Sequence, residues 1–221
     1  MTGTSFRLGF IATTLAVSTT LATLSGCAAI VVGGAVVGGT LMATDRRSSG
    51  TQVDDQAIEL KAGSRIKEAI GDRGHINLTS YNRVALITGE VPTEADKVAV
   101  EQAIARIDNV RSTVNELSVG FSSSLTARSN DALISTKVKA TLVDAGDISA
   151  AAVKIVTERS IVYLMGRVTE AEANRAVDLT SRISGVQKVV RVFEIVTQAE
   201  LATLQPLGAP TNNAKPVTNK P

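Results

Sequence analysis

The chain has 221 residues, with 23 Lys and Arg against 21 Asp and Glu, a net charge of +2 and a hydrophobic content of 44%. That suffices for one ordinary domain or two small ones, but aromatics make up only 3% and Trp is absent, so the cores must be built from Val, Ile, Leu and Ala. One Cys and one His argue against a disulfide framework, a zinc cluster and a Cys–His catalytic pair, and the even charge with few stacking platforms argues against a nucleic-acid partner.

Residues 1–26 read as a signal sequence. Arg7 is the only charge before Asp45, and the apolar run Leu8–Leu24 follows it into Leu24-Ser25-Gly26-Cys27. Small residues before a cleavage point suit a signal peptidase. A Cys directly after them resembles the bacterial lipobox, which implies acylation of Cys27 and cleavage before it. Several acyl chains anchor a protein stably where one does not. The next residue is Ala28 rather than Asp. By resemblance to Gram-negative lipoprotein sorting, this implies a place on the outer membrane, facing the periplasm. Ala28–Ala43 is uncharged and Gly-rich, shorter than the about 20 apolar residues of a bilayer span, and reads as a stalk. Thr44–Val53 reads as polar linker.

The rest of the chain repeats itself. The first unit covers residues 54–120. A helix is predicted over Gln56–Ile70, then strands over Ile76–Tyr81 and Val84–Val91 with a turn at Asn82-Arg83. A second helix opens at Thr93-Glu94-Ala95, with Val100, Ala103, Ile104 and Ile107 on one face, and a β segment covers Val114–Val119. Residues 121–128 read as linker. The second unit, 129–197, repeats the order: helix Asp131–Val143, strands Val153–Glu158 and Ile161–Val168 turning at Arg159-Ser160, and a helix opened by Thr169-Glu170-Ala171. That helix carries Ala176, Leu179, Thr180 and Ile183 on one face, and the β segment Val186–Val196 closes the unit. The expected fold is α+β: two tandem αββαβ domains, independently folded, each a three-stranded sheet with two helices on one face and with Gly89 and Gly166 at equivalent places. Residues 198–221, rich in Pro and Asn, read as a disordered tail.

The Asp-x-x-Ile helix starts, the Val-x-Leu-x-Gly-x-Val strand, the Thr-Glu-Ala helices and the Gly-Val-x-x-Val ending resemble the BON domain. Two such domains behind a lipobox resemble the dual BON-domain lipoprotein family of the Gram-negative outer membrane. The resemblance runs from Cys27 to about Val196 and is closest over Val153–Val190. In the first unit Asn109-Val110 stands where the second has Gly185-Val186. The resemblance implies a non-enzymatic protein that binds anionic phospholipid and supports outer-membrane integrity.

The residues themselves offer little to catalysis. His75 stands alone just before a strand, and the carboxylate pairs Asp54-Asp55 and Glu170/Glu172 sit where helix starts favour negative charge. Gly33-Gly34 and Gly38-Gly39 lack the context and the Lys of a phosphate loop. No catalytic residue, metal site or cofactor is expected. Charge separates the units: residues 54–120 carry eight Lys and Arg against eleven Asp and Glu, whereas 128–197 carry ten against eight. An anionic surface would favour the second.

On a helical wheel, Ile134, Val138 and Leu142 form one stripe that should face the sheet, and Leu133 lies roughly 140° from its centre, beside Thr136, Lys137 and Ala140. Leu133, Thr136, Lys137, Lys139 and Ala140 are the candidate phospholipid contacts, with Lys139 furthest round the wheel. The alternative is an interaction scaffold for an envelope protein or a cell-wall component.

Overall fold

The computed structural model describes residues 45–204. The signal segment, Cys27, the Gly-rich stretch and the chain beyond Leu204 lie outside the described residues. The first repeat consists of helix α1 (Ser49–Ile70), strands β1 (His75–Tyr81) and β2 (Val84–Val91), helix α2 (Glu94–Ala105) and strand β3 (Ser112–Val119). The second consists of α3 (Leu125–Ala145), a 3-10 turn (Ala150–Ala152), β4 (Val153–Glu158), β5 (Ile161–Val168), α4 (Glu170–Ser181) and β6 (Lys188–Ile195), followed by α5 (Gln198–Leu204). The expected αββαβ order is therefore present twice.

In each sheet the middle strand pairs antiparallel with its hairpin partner and parallel with the strand that returns after the helix, giving the orders β1-β2-β3 and β4-β5-β6. The hairpins turn through two residues of positive φ, Asn82 and Arg83 in one and Arg159 and Ser160 in the other. A two-residue turn of that hand matches the right-handed twist of the flanking strands. Gly89 and Gly166 occupy equivalent places opposite the start of the hairpin partner. A Cβ at either would come within 3.0 Å of a carbonyl oxygen, that of His75 or of Ala152, so no larger residue fits.

Alternation along the strands sorts the side chains into two faces. Ala85, Ile87 and Val91 meet Ile58, Ala62, Val100 and Ile104 in one core, while Val162, Leu164 and Val168 meet Ile134, Val138, Leu142, Ala173 and Ala176 in the other. The opposite faces join in a third cluster: Tyr81 and Leu86 from the first sheet pack with Tyr163 and Met165 from the second, flanked by Val84, Val114, Val156, Ile161, Val190 and Val192. The central strands are consequently covered on both sides and buried almost end to end. The picture of two separately folded units missed this shared core.

Three segments read as linker or tail are ordered. Within Thr44–Val53, α1 begins at Ser49, capped by Ser48, whose side chain accepts from the Thr51 amide. Within 121–128, α3 begins at Leu125, and Ser124 accepts from the Ala127 amide in the same way. Such serine caps satisfy amides that a helix start otherwise leaves unpaired. The tail expected from residue 198 instead opens with α5, whose Leu201 is buried.

Candidate lipid-contact face of helix α3

The rotation of α3 is fixed by its buried side. Asp131 is buried, and its two carboxylate oxygens accept from the backbone amides of Arg159 and Ser160, each at 2.8 Å. Those are the two positive-φ residues of the second hairpin turn, so a single side chain ties the turn to the helix. Ser135 adds a bond by donating to Thr157 at 2.8 Å. Asp55 does the same work in the first repeat, accepting from Asn82 at 2.8 Å, Arg83 at 2.7 Å and the Ser80 hydroxyl at 2.7 Å. The expectation that Asp54-Asp55 marks a helix start is thereby corrected: the helix begins at Ser49, and Asp55 serves the turn. Glu172 does cap its helix, reciprocally with Thr169.

With the helix held so, Ile134, Val138 and Leu142 are at most 1% exposed and Leu133 is 61% exposed. Thr136, Lys137 and Ala140 share the open side with it. Val143, also exposed, was missed; its spacing from Leu133, Thr136 and Ala140 continues the helical stripe and was the available signal. Three hydroxyls on this helix are folded back on its own carbonyls: Ser129 donates to Leu125 at 3.0 Å, Thr136 to Ala132 at 2.9 Å and Thr141 to Lys137 at 2.9 Å. A satisfied hydroxyl costs less to take out of water than a free one, so the face is less polar than its residue names suggest.

The basic groups divide. Lys137 projects from the exposed side without a partner among the described residues. Lys139 turns off the face: its ammonium donates to the Ala150 carbonyl, and burial lowers its pKa. Lys139 and Val143 line a groove of about 800 Å³ between α3 and β4, with Arg47 and Lys154 at its rim. Lys139, expected furthest round the wheel, thus lies at the groove side of the helix, exposed but with its ammonium engaged.

The equivalence of Asp55 and Asp131 places Ala57 where α3 has Leu133, so the first repeat offers no large apolar side chain at this position. His75 opens β1, with its ring 3.3 Å from the Asn77 amide. Among the described residues no group of three His, Cys, Asp or Glu is arranged to hold a metal. Glu158, across from Asn77, is raised above the usual carboxylate range by burial, against the opposing Asn77 hydrogen bond.

The BON domain family model matches residues 54–120 and 130–197. The chain is 37% identical over 173 residues to the outer membrane lipoprotein DolP of Haemophilus influenzae, covering 77% of this chain and 89% of that protein. It is 31% identical over 154 residues to a 21 kDa hemolysin of Actinobacillus pleuropneumoniae, covering 69% and 79%. The C-terminal domain of CdsD, a structural protein of the type III secretion system of Chlamydia trachomatis, is a distant likeness at 11% identity and a TM-score of 0.27, covering 61% of this chain and 96% of that one.

Proposed function

The chain belongs to the dual BON-domain family that includes the outer membrane lipoprotein DolP, and from that premise we propose that it is anchored to the outer membrane through acylated Cys27, faces the periplasm, and docks α3 on anionic phospholipid. Its role is binding, in support of outer-membrane integrity, with no catalytic step.

One observation carries the reading: a leucine held outward by the fold on a weakly polar face, beside Lys137, with Asp144 near the C-terminal end as the one exposed carboxylate of α3. Leu133 would enter the boundary between headgroups and acyl chains, while Lys137 would stay among the phosphates. An interfacial helix combines these two contributions, apolar burial and a basic flank. The first repeat also exposes apolar residues on its opening helix, Val53 and Leu60; its net negative charge, against the net positive charge of the second, is what favours the second domain on an anionic surface.

Co-sedimentation of the compact unit from Thr44 onward with vesicles tests this. It should bind phosphatidylglycerol vesicles and not pure phosphatidylcholine. Leu133→Glu should weaken binding at least about tenfold, since it removes apolar burial worth roughly 1.5 kcal/mol or more and adds a repelled charge. Its circular dichroism should be unchanged. Wild-type binding by Leu133→Glu would remove α3 as the lipid surface and leave the interaction-scaffold reading.

A further inference from the structure

We infer that the membrane footprint extends to a second apolar foothold, Phe121 and Leu125, at the N-terminal end of α3, so that the helix lies along an anionic bilayer; this rests on α3 being the lipid surface. Phe121 is 99% exposed and Leu125 79%, in a segment whose sequence reads as linker. Gly120 donates its amide to Val91 at 2.9 Å, which ends the first sheet, and the chain then leaves the fold with Phe121 in solvent. Single exposed leucines are ordinary. A fully exposed Phe four residues before an exposed Leu, in a chain with 3% aromatics, is a different matter.

Geometry makes Leu125 continuous with the face already described. At 100° per residue it falls in the same outward sector as Thr136 and Val143, roughly 80° from Leu133. The apolar residues Leu125, Leu133 and Val143 are thus spread along about 27 Å of helix at the standard rise. That distribution suits a helix lying flat in the interface; insertion by one end would gather the apolar residues at that end. Charge names the partner. Between Phe121 and Val143 the basic residues are Arg128, Lys137 and Lys139, and the one carboxylate is Asp131. Asp131 is buried and bound to the hairpin amides; the one exposed carboxylate of the helix is Asp144, about 20° from Leu133 on the wheel, and it is outnumbered by the basic residues, so the balance stays positive. Anionic phospholipid complements such a surface.

Trp is absent from the chain, so one introduced Trp is a unique fluorescent reporter. Phe121→Trp, Leu133→Trp and, as a control on the first domain, Leu60→Trp would each be placed in the full-length acylated protein. Each would then be reconstituted in phosphatidylcholine vesicles carrying brominated acyl chains, with or without phosphatidylglycerol. The anchor is constant across the series, so any difference comes from docking. With phosphatidylglycerol, Trp emission at positions 121 and 133 should shift to shorter wavelength and be quenched, and emission at position 60 should not. Quenching at 133 without quenching at 121 would overturn the foothold while sparing the lipid reading of α3. Quenching at neither would overturn both. Equal quenching at all three positions would overturn the foothold as a specific contact.

Discussion

Lys137 and Lys139 show how far residue-scale reasoning reaches. The two lysines are two positions apart, and sequence places both near a phosphate layer. In the fold, Lys139 gives its ammonium to the Ala150 carbonyl and only Lys137 is unengaged. Their contributions to binding should therefore separate. Lys137→Gln should weaken binding to anionic vesicles several-fold at low salt, in line with about 1 kcal/mol per basic residue near the surface, and less at high salt. Lys139→Gln should change binding little at either salt concentration. Vesicle co-sedimentation of the two variants at two ionic strengths checks this, and equal losses would place Lys139 on the lipid face after all. Leu133 was legible because an amphipathic helix exposes whatever lies opposite its apolar stripe. The fate of Lys139 was not, because its acceptor is a loop carbonyl eleven residues away.

At the scale of the element, the repeats were legible wherever hydrophobic period carried the signal. The hairpins, both crossover helices and the paired glycines fall where expected. The N-terminal turns of α1 and α3 escaped because their polar residues have no apolar period, and only the serine caps mark them. The role of Asp131 escaped for a further reason: its partners lie 28 and 29 residues on, and a carboxylate nearly two turns into a helix looks like any surface charge. Its importance can be measured. Asp131→Ala leaves two amides of a tight turn without their acceptor and should cost about 2–4 kcal/mol in urea unfolding. Asp131→Asn, which keeps one acceptor oxygen, should recover part of that. A loss below about 0.5 kcal/mol for the alanine variant would mean that water replaces the carboxylate without cost.

Across the whole molecule, the main surprise is a strap formed by Asp45, Arg46 and Arg47, residues read as linker. Arg46 is 7% exposed and donates to both carboxylate oxygens of Glu172, at 2.9 and 2.7 Å, and to the carbonyl of Arg167 at 2.9 Å. Arg47 donates to Asp55 at 2.7 Å and lies 4.3 Å from the centre of the Tyr81 ring. Adjacent arginines thus hold opposite repeats, reinforcing the shared sheet-to-sheet core. No local pattern announces this, since Glu172 is 126 positions from Arg46. The strap predicts a pH signature. Burial alone would raise Glu172, but the Arg46 guanidinium and the Thr169 amide outweigh it, and its pKa lies below the usual 4.5. A carboxylate with a lowered folded pKa contributes stability that is complete above its unfolded pKa and is lost as pH falls through the folded value. Arg46→Leu should therefore lower Tm at pH 7 by roughly 5 °C, taking about 2 kcal/mol for a largely buried pair broken on one side. The gap between wild type and variant should narrow as pH falls below 4.5, because wild type loses the same pair on protonation. Scanning calorimetry of both proteins from pH 7 to pH 3 measures it. A gap that stays constant over that range would show that Arg46 acts through its packing and the Arg167 carbonyl, and that the ion pair with Glu172 adds nothing.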